Sequence, residues 1–163
     1  MNRLISLYIS FDGLNDPLGQ SQIIPYLEKI KLSNSVKVFT MEKKILKKNY
    51  FLNKKIKCHN TTFSYSQNKF KKLLNYINFF FFIIKLTIGY KINIIHCRGF
   101  LPAVFGSIIA KFKKLKIIYD MRGFWIDEKV DNGALKKNTV MGRIAFIFLK
   151  KIENYIIRNS SVI

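Results

Sequence analysis

Leu4-Ile-Ser-Leu-Tyr-Ile-Ser10, Phe11-Asp-Gly-Leu-Asn-Asp-Pro-Leu18 and Gly19-Gln-Ser-Gln-Ile-Ile-Pro-Tyr-Leu-Glu-Lys-Ile30 follow one another without a break, and together they set the architecture. The first piece is a short apolar strand. The second is a loop of turn-forming residues. In the third, Ile23, Ile24, Leu27 and Ile30 recur at helical spacing. A strand that passes through a glycine-bearing loop into a helix leaves unpaired backbone N–H groups above the sheet edge. Such groups suit an anion, most often a phosphate.

Beyond this stretch, strands and helices alternate. The first helix is expected at about Gln20–Leu32, with Pro25 near its start, where a missing N–H costs least and a slight kink follows. Val36–Thr40 alternates, is β-branched and reads as the second strand. Glu42–Asn60 is lysine-rich and reads as a surface segment with at most a short helix. A third strand is expected at Thr61–Tyr65, a long helix at Lys69–Tyr90, a fourth strand at Ile92–His96, a helix at Phe100–Lys111 and a fifth strand at Lys116–Tyr119. Thr139–Arg158 is the last helix, and Ser161–Ile163 opens a further strand. This pattern predicts an α/β chain: a single Rossmann-like domain with a doubly wound parallel sheet, its crossovers right-handed. No repeat or linker divides it.

The helix at Lys69–Tyr90 carries Phe79-Phe80-Phe81-Phe82-Ile83-Ile84, and from Leu73 to Tyr90 its one charged residue is Lys85. Three readings compete. A helix packed between the sheet and its neighbours ranks first. A helix lying on a membrane surface, with Lys69, Lys71 and Lys72 reaching headgroups, ranks second. A spanning helix ranks third, because Asn75, Asn78 and Lys85 are costly at mid-bilayer.

Lys+Arg number 29 and Asp+Glu 9, a formal net charge of +20, which suits nucleic acid or an anionic membrane. Five of the 29 are arginine (Arg3, Arg98, Arg122, Arg143, Arg158), whereas base reading favours arginine forks. The excess lysine reads equally as solvated decoration in a chain biased toward Lys, Asn, Ile and Phe. Cys58 and Cys97 are far apart and read as buried thiols of a reducing, cytoplasmic compartment. Met1–Ile9 has too short an apolar run for a secretory signal and enters Asp12 without a small-residue cleavage site.

In a doubly wound sheet, ligands bind beyond the carboxyl ends of the strands. Three such ends carry polar clusters: Asp12, Gly13, Asp16 and Gly19 after the first strand, His96-Cys97-Arg98-Gly99 at the fourth, and Asp120-Met121-Arg122-Gly123 with Phe124-Trp125-Ile126-Asp127-Glu128 at the fifth. Each member has an ordinary structural role open to it: His96 as a core cap, Asp120 as a turn cap, Arg122 in an ion pair with Asp127 or Glu128, Trp125 as packing. Those roles do not account for their convergence on one edge. No phosphate-binding loop ending in Gly-Lys-Ser/Thr follows the first strand, and no Gly-x-Gly-x-x-Gly, Gly-x-Ser-x-Gly or zinc-ligand spacing occurs. No metal and no resident cofactor are therefore expected.

Tyr8–Leu27, Ile95-His-Cys-Arg98 and Tyr119-Asp-Met-Arg-Gly-Phe-Trp-Ile-Asp-Glu128 together resemble bacterial GT-B glycosyltransferases of the family 4 type. The resemblance spans nearly the whole chain. It implies the N-terminal, acceptor-side domain of a two-domain enzyme whose partner domain grips a nucleotide-sugar co-substrate and is absent from this chain. It implies that Asp16, Gly19 and Gln20 form a loop near the donor phosphates, Gly19 admitting close backbone approach. His96, Arg98, Arg122, Asp127 and Glu128 then line the acceptor side of the cleft. Many relatives carry a histidine at the end of the fifth strand. Here that place falls to Asp120, the residue expected to act there, whose carboxylate can meet sugar hydroxyls without doing what a histidine does. The leading reading is half of an enzyme moving a sugar to a glycan or lipid-linked acceptor in the cell envelope, inactive alone. A membrane-held binding subunit of a split transferase, at the inner face of the membrane, is the alternative. A basic nucleic-acid-binding domain is the third and lowest-ranked reading.

Overall fold

The computed structural model describes residues 4–30, 35–42, 56–62 and 69–163. Among the described residues there are five strands, all but the third built on apolar runs: β1 (Ile5–Ser10), β2 (Ser35–Glu42), β3 (Ile56–Thr62), β4 (Ile94–Arg98) and β5 (Lys116–Asp120). They make one parallel sheet in the order β3-β2-β1-β4-β5. The order reverses beside β1, so the carboxyl ends of β1 and β4 flank the switch point where such sheets bind ligands. The domain is Rossmann-like and doubly wound.

Helices α1 (Ile24–Ile30), α2 (Lys69–Gly89), α3 (Phe100–Lys113), α4 (Trp125–Asp131) and α5 (Val140–Asn159) complete it. The period-2 alternation of the strands sorts their side chains onto two faces. Tyr8, Val36 and Val38 pack with Ile23 and Leu27 ahead of and within α1. Leu7, Ile9, Ile95, Cys97, Ile117 and Tyr119 point the other way, into the larger core under α2, α3 and α5. There Phe39 stacks on Phe79 and Phe82 at centroid distances of 4.4 and 4.8 Å. Full burial of a side chain such as Phe79 or Ile83 stabilises by about 1.5–3 kcal/mol. Helix α3 sits close on β4 because Gly106 has no Cβ; one added there would collide with Cys97 Sγ. Thr139 caps α5, its hydroxyl accepting from the Gly142 N–H at 3.1 Å.

Several boundaries differ from expectation. Strand β3 starts at Ile56, five positions before the expected Thr61, so Ile56–Asn60 belongs to the sheet and not to the lysine-rich surface segment. It is an edge strand, and an edge needs no continuous apolar run to mark it. The rest of that segment, 43–55, and Phe63–Tyr65 lie outside the described residues, as does Leu32. Strand β4 starts two residues late and carries His96 and Arg98 inside the sheet. Helix α4 has no counterpart in the expected pattern, because its seven residues are too short to show a period. A π-turn, Gly19–Ile23, runs straight into α1, and the Ile24 N–H bonds the Gly19 carbonyl five residues back. Pro25 explains it: a regular helix would require a Pro25 N–H for the Ser21 carbonyl, and a wider turn removes that requirement. Past α5, Val162 bridges Ile118 in parallel, the beginning of pairing expected for Ser161–Ile163.

Helix α2 presses Phe79, Ile83 and Leu86 onto the sheet, while Leu74, Ile77, Phe81 and Ile88 face outward. It is long and apolar enough to cross a membrane, yet its inner stripe belongs to the sheet core. The first-ranked expectation therefore describes one face of α2 and not the other.

Candidate functional site

Arg98 ends β4 on the sheet face shared with α1, and it joins three segments of chain. Its Nη1 donates to Asp120 Oδ2 at the end of β5 at 2.7 Å. Its Nη2 donates to Gln22 Oε1 in the π-turn at 2.5 Å. Its Nε lies 3.5 Å from Asp12 Oδ2 in the loop after β1. The guanidinium is nearly buried, with a side-chain exposure of 5%, whereas Asp120 and Asp12 are 31% and 43% exposed. Buried cations are kept only where carboxylates and hydrogen bonds answer them. Here the answering groups come from the ends of β1 and β5 and from the π-turn, so Asp12, Gln22, Arg98 and Asp120 form one rim. Gly19 lies just ahead of Gln22 on the same turn, and Gly99 follows with its N–H donated to the Asp120 carbonyl at 3.0 Å.

Under the rim is an aromatic nest. His96 is 5% exposed, its Nδ1 lies 3.2 Å from Tyr26 Oη, and its ring meets Tyr8 edge-on at 4.8 Å. Burial pushes the His96 imidazole down to about 4 and Arg98 adds to the effect, while Asp120 opposes it. His96 is thus neutral at physiological pH and supports Tyr26 from below. Burial also raises the Tyr8 phenol, and Tyr26 is raised by burial and Asp120. Of the three buried side-chain atoms without a hydrogen-bond partner among the described residues, two lie here: Tyr8 Oη, and Arg98 Nε, which faces the Asp12 carboxylate at 3.5 Å. Tyr8 Oη is thus the buried donor at this edge with capacity to spare.

The loop after β1 is held from an unexpected side. Glu42, at the end of β2 and 1% exposed, accepts from the Leu14 N–H at 2.7 Å, the Asn15 N–H at 3.3 Å, Asn15 Nδ2 at 3.1 Å and Thr40 Oγ1 at 2.9 Å. Two of the loop amides expected to await an anion are therefore occupied by a carboxylate of the chain itself. Gly19 serves the same packing: a Cβ there would run into the Gly13 carbonyl and lie 2.7 Å from Leu14 Cα. Its close approach is to its own loop. Gln20 is exposed and Asp16 half-buried, the Gln20 N–H bonding the Asp16 carbonyl at 3.0 Å.

Past β5, Arg122 is exposed and has no acidic partner among the described residues, so the ion pair weighed for it with Asp127 or Glu128 does not form. Asp127 instead accepts from Lys150 of α5 at 2.5 Å, and Lys150 also donates to buried Glu153 at 2.7 Å. Burial works to lower Lys150, but the hydrogen bonds to Asp127 and Glu153 outweigh it and raise the group. This places Asp127 in a brace between α4 and α5. Glu128 lies over Gly123, where its Oε1 fills the space a Cβ would take. Trp125 stacks on Phe100 at 5.1 Å and locks the starts of α4 and α3 together.

Arg98 and Asp120 thus meet on the rim, with Asp16 in the loop after β1, Gly19 and Gln20 on the adjoining turn, Arg122 on the loop after β5 and Glu128 in α4. His96 lies beneath the rim and Asp127 points to α5. Glu42, Gln22, Tyr26 and Tyr8 were not singled out from sequence. Gln22 and Tyr26 carried a usable signal: they are four apart and share a helix face. Glu42 carried none beyond being an acid at a strand end. Chemically, the rim offers one exposed cation without an acidic partner among the described residues, Arg122, and a carboxylate oxygen, Asp120 Oδ1, able to accept from a hydroxyl, while Arg98 is committed to Asp120, Gln22 and Asp12.

No family model matches the sequence, and no curated protein does. Among solved structures the chain is similar to a UGT transferase from Siraitia grosvenorii, described as a crystal structure in complex with UDP, with a TM-score of 0.40 and 13% identity over 80% of this chain and 28% of that one. The chain spans well under a third of that protein's length.

Proposed function

We propose that this chain is the acceptor-side wall of a glycosyltransferase that moves a sugar from a nucleotide-sugar donor to a glycan or lipid-linked acceptor. The observation that carries the reading is the Arg98 junction. It draws the three strand ends that share the family 4 resemblance into one rim, with the Tyr8 hydroxyl beneath it left without a hydrogen-bond partner. In this reading Arg122 meets a diphosphate or an anionic acceptor group, and Arg98 holds the rim in shape around it. Asp120 Oδ1 accepts from a sugar hydroxyl and orients it. Asp16 and Gln20 face the donor from the loop, and Glu42 holds that loop still. Orienting two reactants is where such a site gains most of its rate, and it needs both walls of a cleft.

The test is a transfer assay with radiolabelled UDP-glucose, UDP-N-acetylglucosamine and GDP-mannose, run on the chain alone and on the chain mixed with a nucleotide-sugar-binding domain. The expected outcome is no turnover alone, turnover with the second domain, and loss of that turnover in Asp120→Asn. Ordinary turnover by the chain alone, or turnover indifferent to Asp120, overturns the reading.

A further inference from the structure

The side of the molecule away from the Arg98 rim has a composition of its own. Helices α2, α3 and α5 form one layer over the larger core. Their outward surfaces carry Leu74, Ile77, Phe81 and Ile88 on α2, Ile108 and Phe112 on α3, and Ile147 and Phe148 on α5. Phe112 is 82% exposed and Phe148 61%. Between α3 and α5 runs an open groove of about 630 Å³, its walls formed by Val104, Ile108, Phe112, Phe148 and Ile152. Lys111 and Lys151 stand at its edge, and neither has an acidic partner among the described residues. All nine acidic residues of the chain fall within the described residues, and the one borne by these three helices, Glu153, is buried against Lys150. The layer therefore presents apolar and cationic side chains together with no exposed carboxylate.

We propose that this layer seats on an anionic lipid bilayer, with the α3–α5 groove taking one acyl chain and Lys111 and Lys151 meeting the lipid phosphate. Charge chooses this occupant. A second copy of the chain would set lysine against lysine across the contact. A polynucleotide would use the lysines and leave the phenylalanines and isoleucines in water. A bilayer with acidic headgroups answers both, since apolar side chains enter the acyl boundary while lysines remain at phosphate depth. Helix α2 lies along the surface and does not cross, because Phe79, Ile83 and Leu86 are held in the sheet core. The inference rests on the helical layer and stands apart from the transfer reading.

The test is co-sedimentation of the full chain with vesicles of phosphatidylcholine alone and of phosphatidylcholine mixed with phosphatidylglycerol. Binding is expected with the mixed vesicles and not with phosphatidylcholine alone. Phe112→Ser with Phe148→Ser, and separately Lys111→Glu with Lys151→Glu, are each expected to weaken binding roughly tenfold. Lys29→Glu, an exposed charge change on α1 across the sheet, is expected to leave it nearly unchanged. The thermal midpoint of each variant checks that it folds. Dihexanoyl phosphatidylglycerol below its micelle concentration should shift the amides of residues 104–112 and 148–156. Absence of binding to mixed vesicles overturns the proposal. So does equal weakening by Lys29→Glu, which would mean net charge alone, or lipid-free self-association abolished by the phenylalanine changes, which would mean a second copy.

Discussion

Arg98→Lys keeps the charge at the rim and removes the fork. A lysine ammonium cannot reach Asp120, Gln22 and Asp12 in three fixed directions as the guanidinium does. The partners are partly exposed, so water recovers some of the loss, and the expected cost is about 1–3 kcal/mol. Urea denaturation checks it. His96 gives the second residue-scale expectation. Its folded value of about 4 lies below its ordinary 6.5, so between the two the unfolded chain binds more protons. Stability contributed by neutral His96 is therefore full above pH 6.5 and declines as pH falls through 4, by about 3 kcal/mol in total. The difference between wild type and His96→Gln in chemical-denaturation profiles across that range isolates the contribution. Arg98 and Asp120 were legible because each is a charge set at the carboxyl end of an apolar strand, where a parallel sheet opens to its ligand. The neutrality of His96 was not, because it depends on Tyr8 and Tyr26, one contributed by another strand and the other by α1.

At the scale of elements, the loop after β1 is a fixed structure supported by Glu42. Glu42→Ala removes one carboxylate and orphans the Leu14 and Asn15 N–H groups, an expected loss of about 2–4 kcal/mol. Hydrogen exchange should report it first at Leu14, ahead of the β1 strand amides. Gly19→Ala drives a methyl into the Gly13 carbonyl, which is backbone and cannot swing away. A loss of about 2–4 kcal/mol is expected, with the same amides loosened, as read by melting and exchange. The helices with full periods, α2, α3 and α5, were legible to within two residues at their ends. Short or edge elements were not. Strand β3 has pairing on β2 to define it and no apolar run of its own. The π-turn required knowing that Pro25 would meet a carbonyl one turn back. Glu42 escaped notice because the contact that explains it spans 28 residues of sequence.

At the scale of the molecule, charge is divided between two surfaces. Asp12 and Asp120 pair with Arg98 at the strand-end rim, while the outer layer of α2, α3 and α5 is cationic and apolar. The net charge of +20 allowed both a solvated and an electrostatic reading from sequence. Composition alone has no way to tell them apart, because it does not say where the nine acids lie. The parallel sheet and the use of its carboxyl edge followed from alternation of strands and helices and from the right-handed crossover, whereas the strand order, which sets the switch point beside β1, was not read from sequence. If that rim receives a phosphorylated sugar compound, titrating the isotopically labelled chain with UDP, inorganic pyrophosphate and glucose will reveal it in the amide chemical shifts. Weak, saturable shifts are expected with UDP and pyrophosphate at residues 12–22, 98–99 and 120–123, reduced in Arg122→Ser. Shifts confined to the lysines of α3 and α5, or none at the rim with either phosphate compound, would refute a phosphate-binding rim.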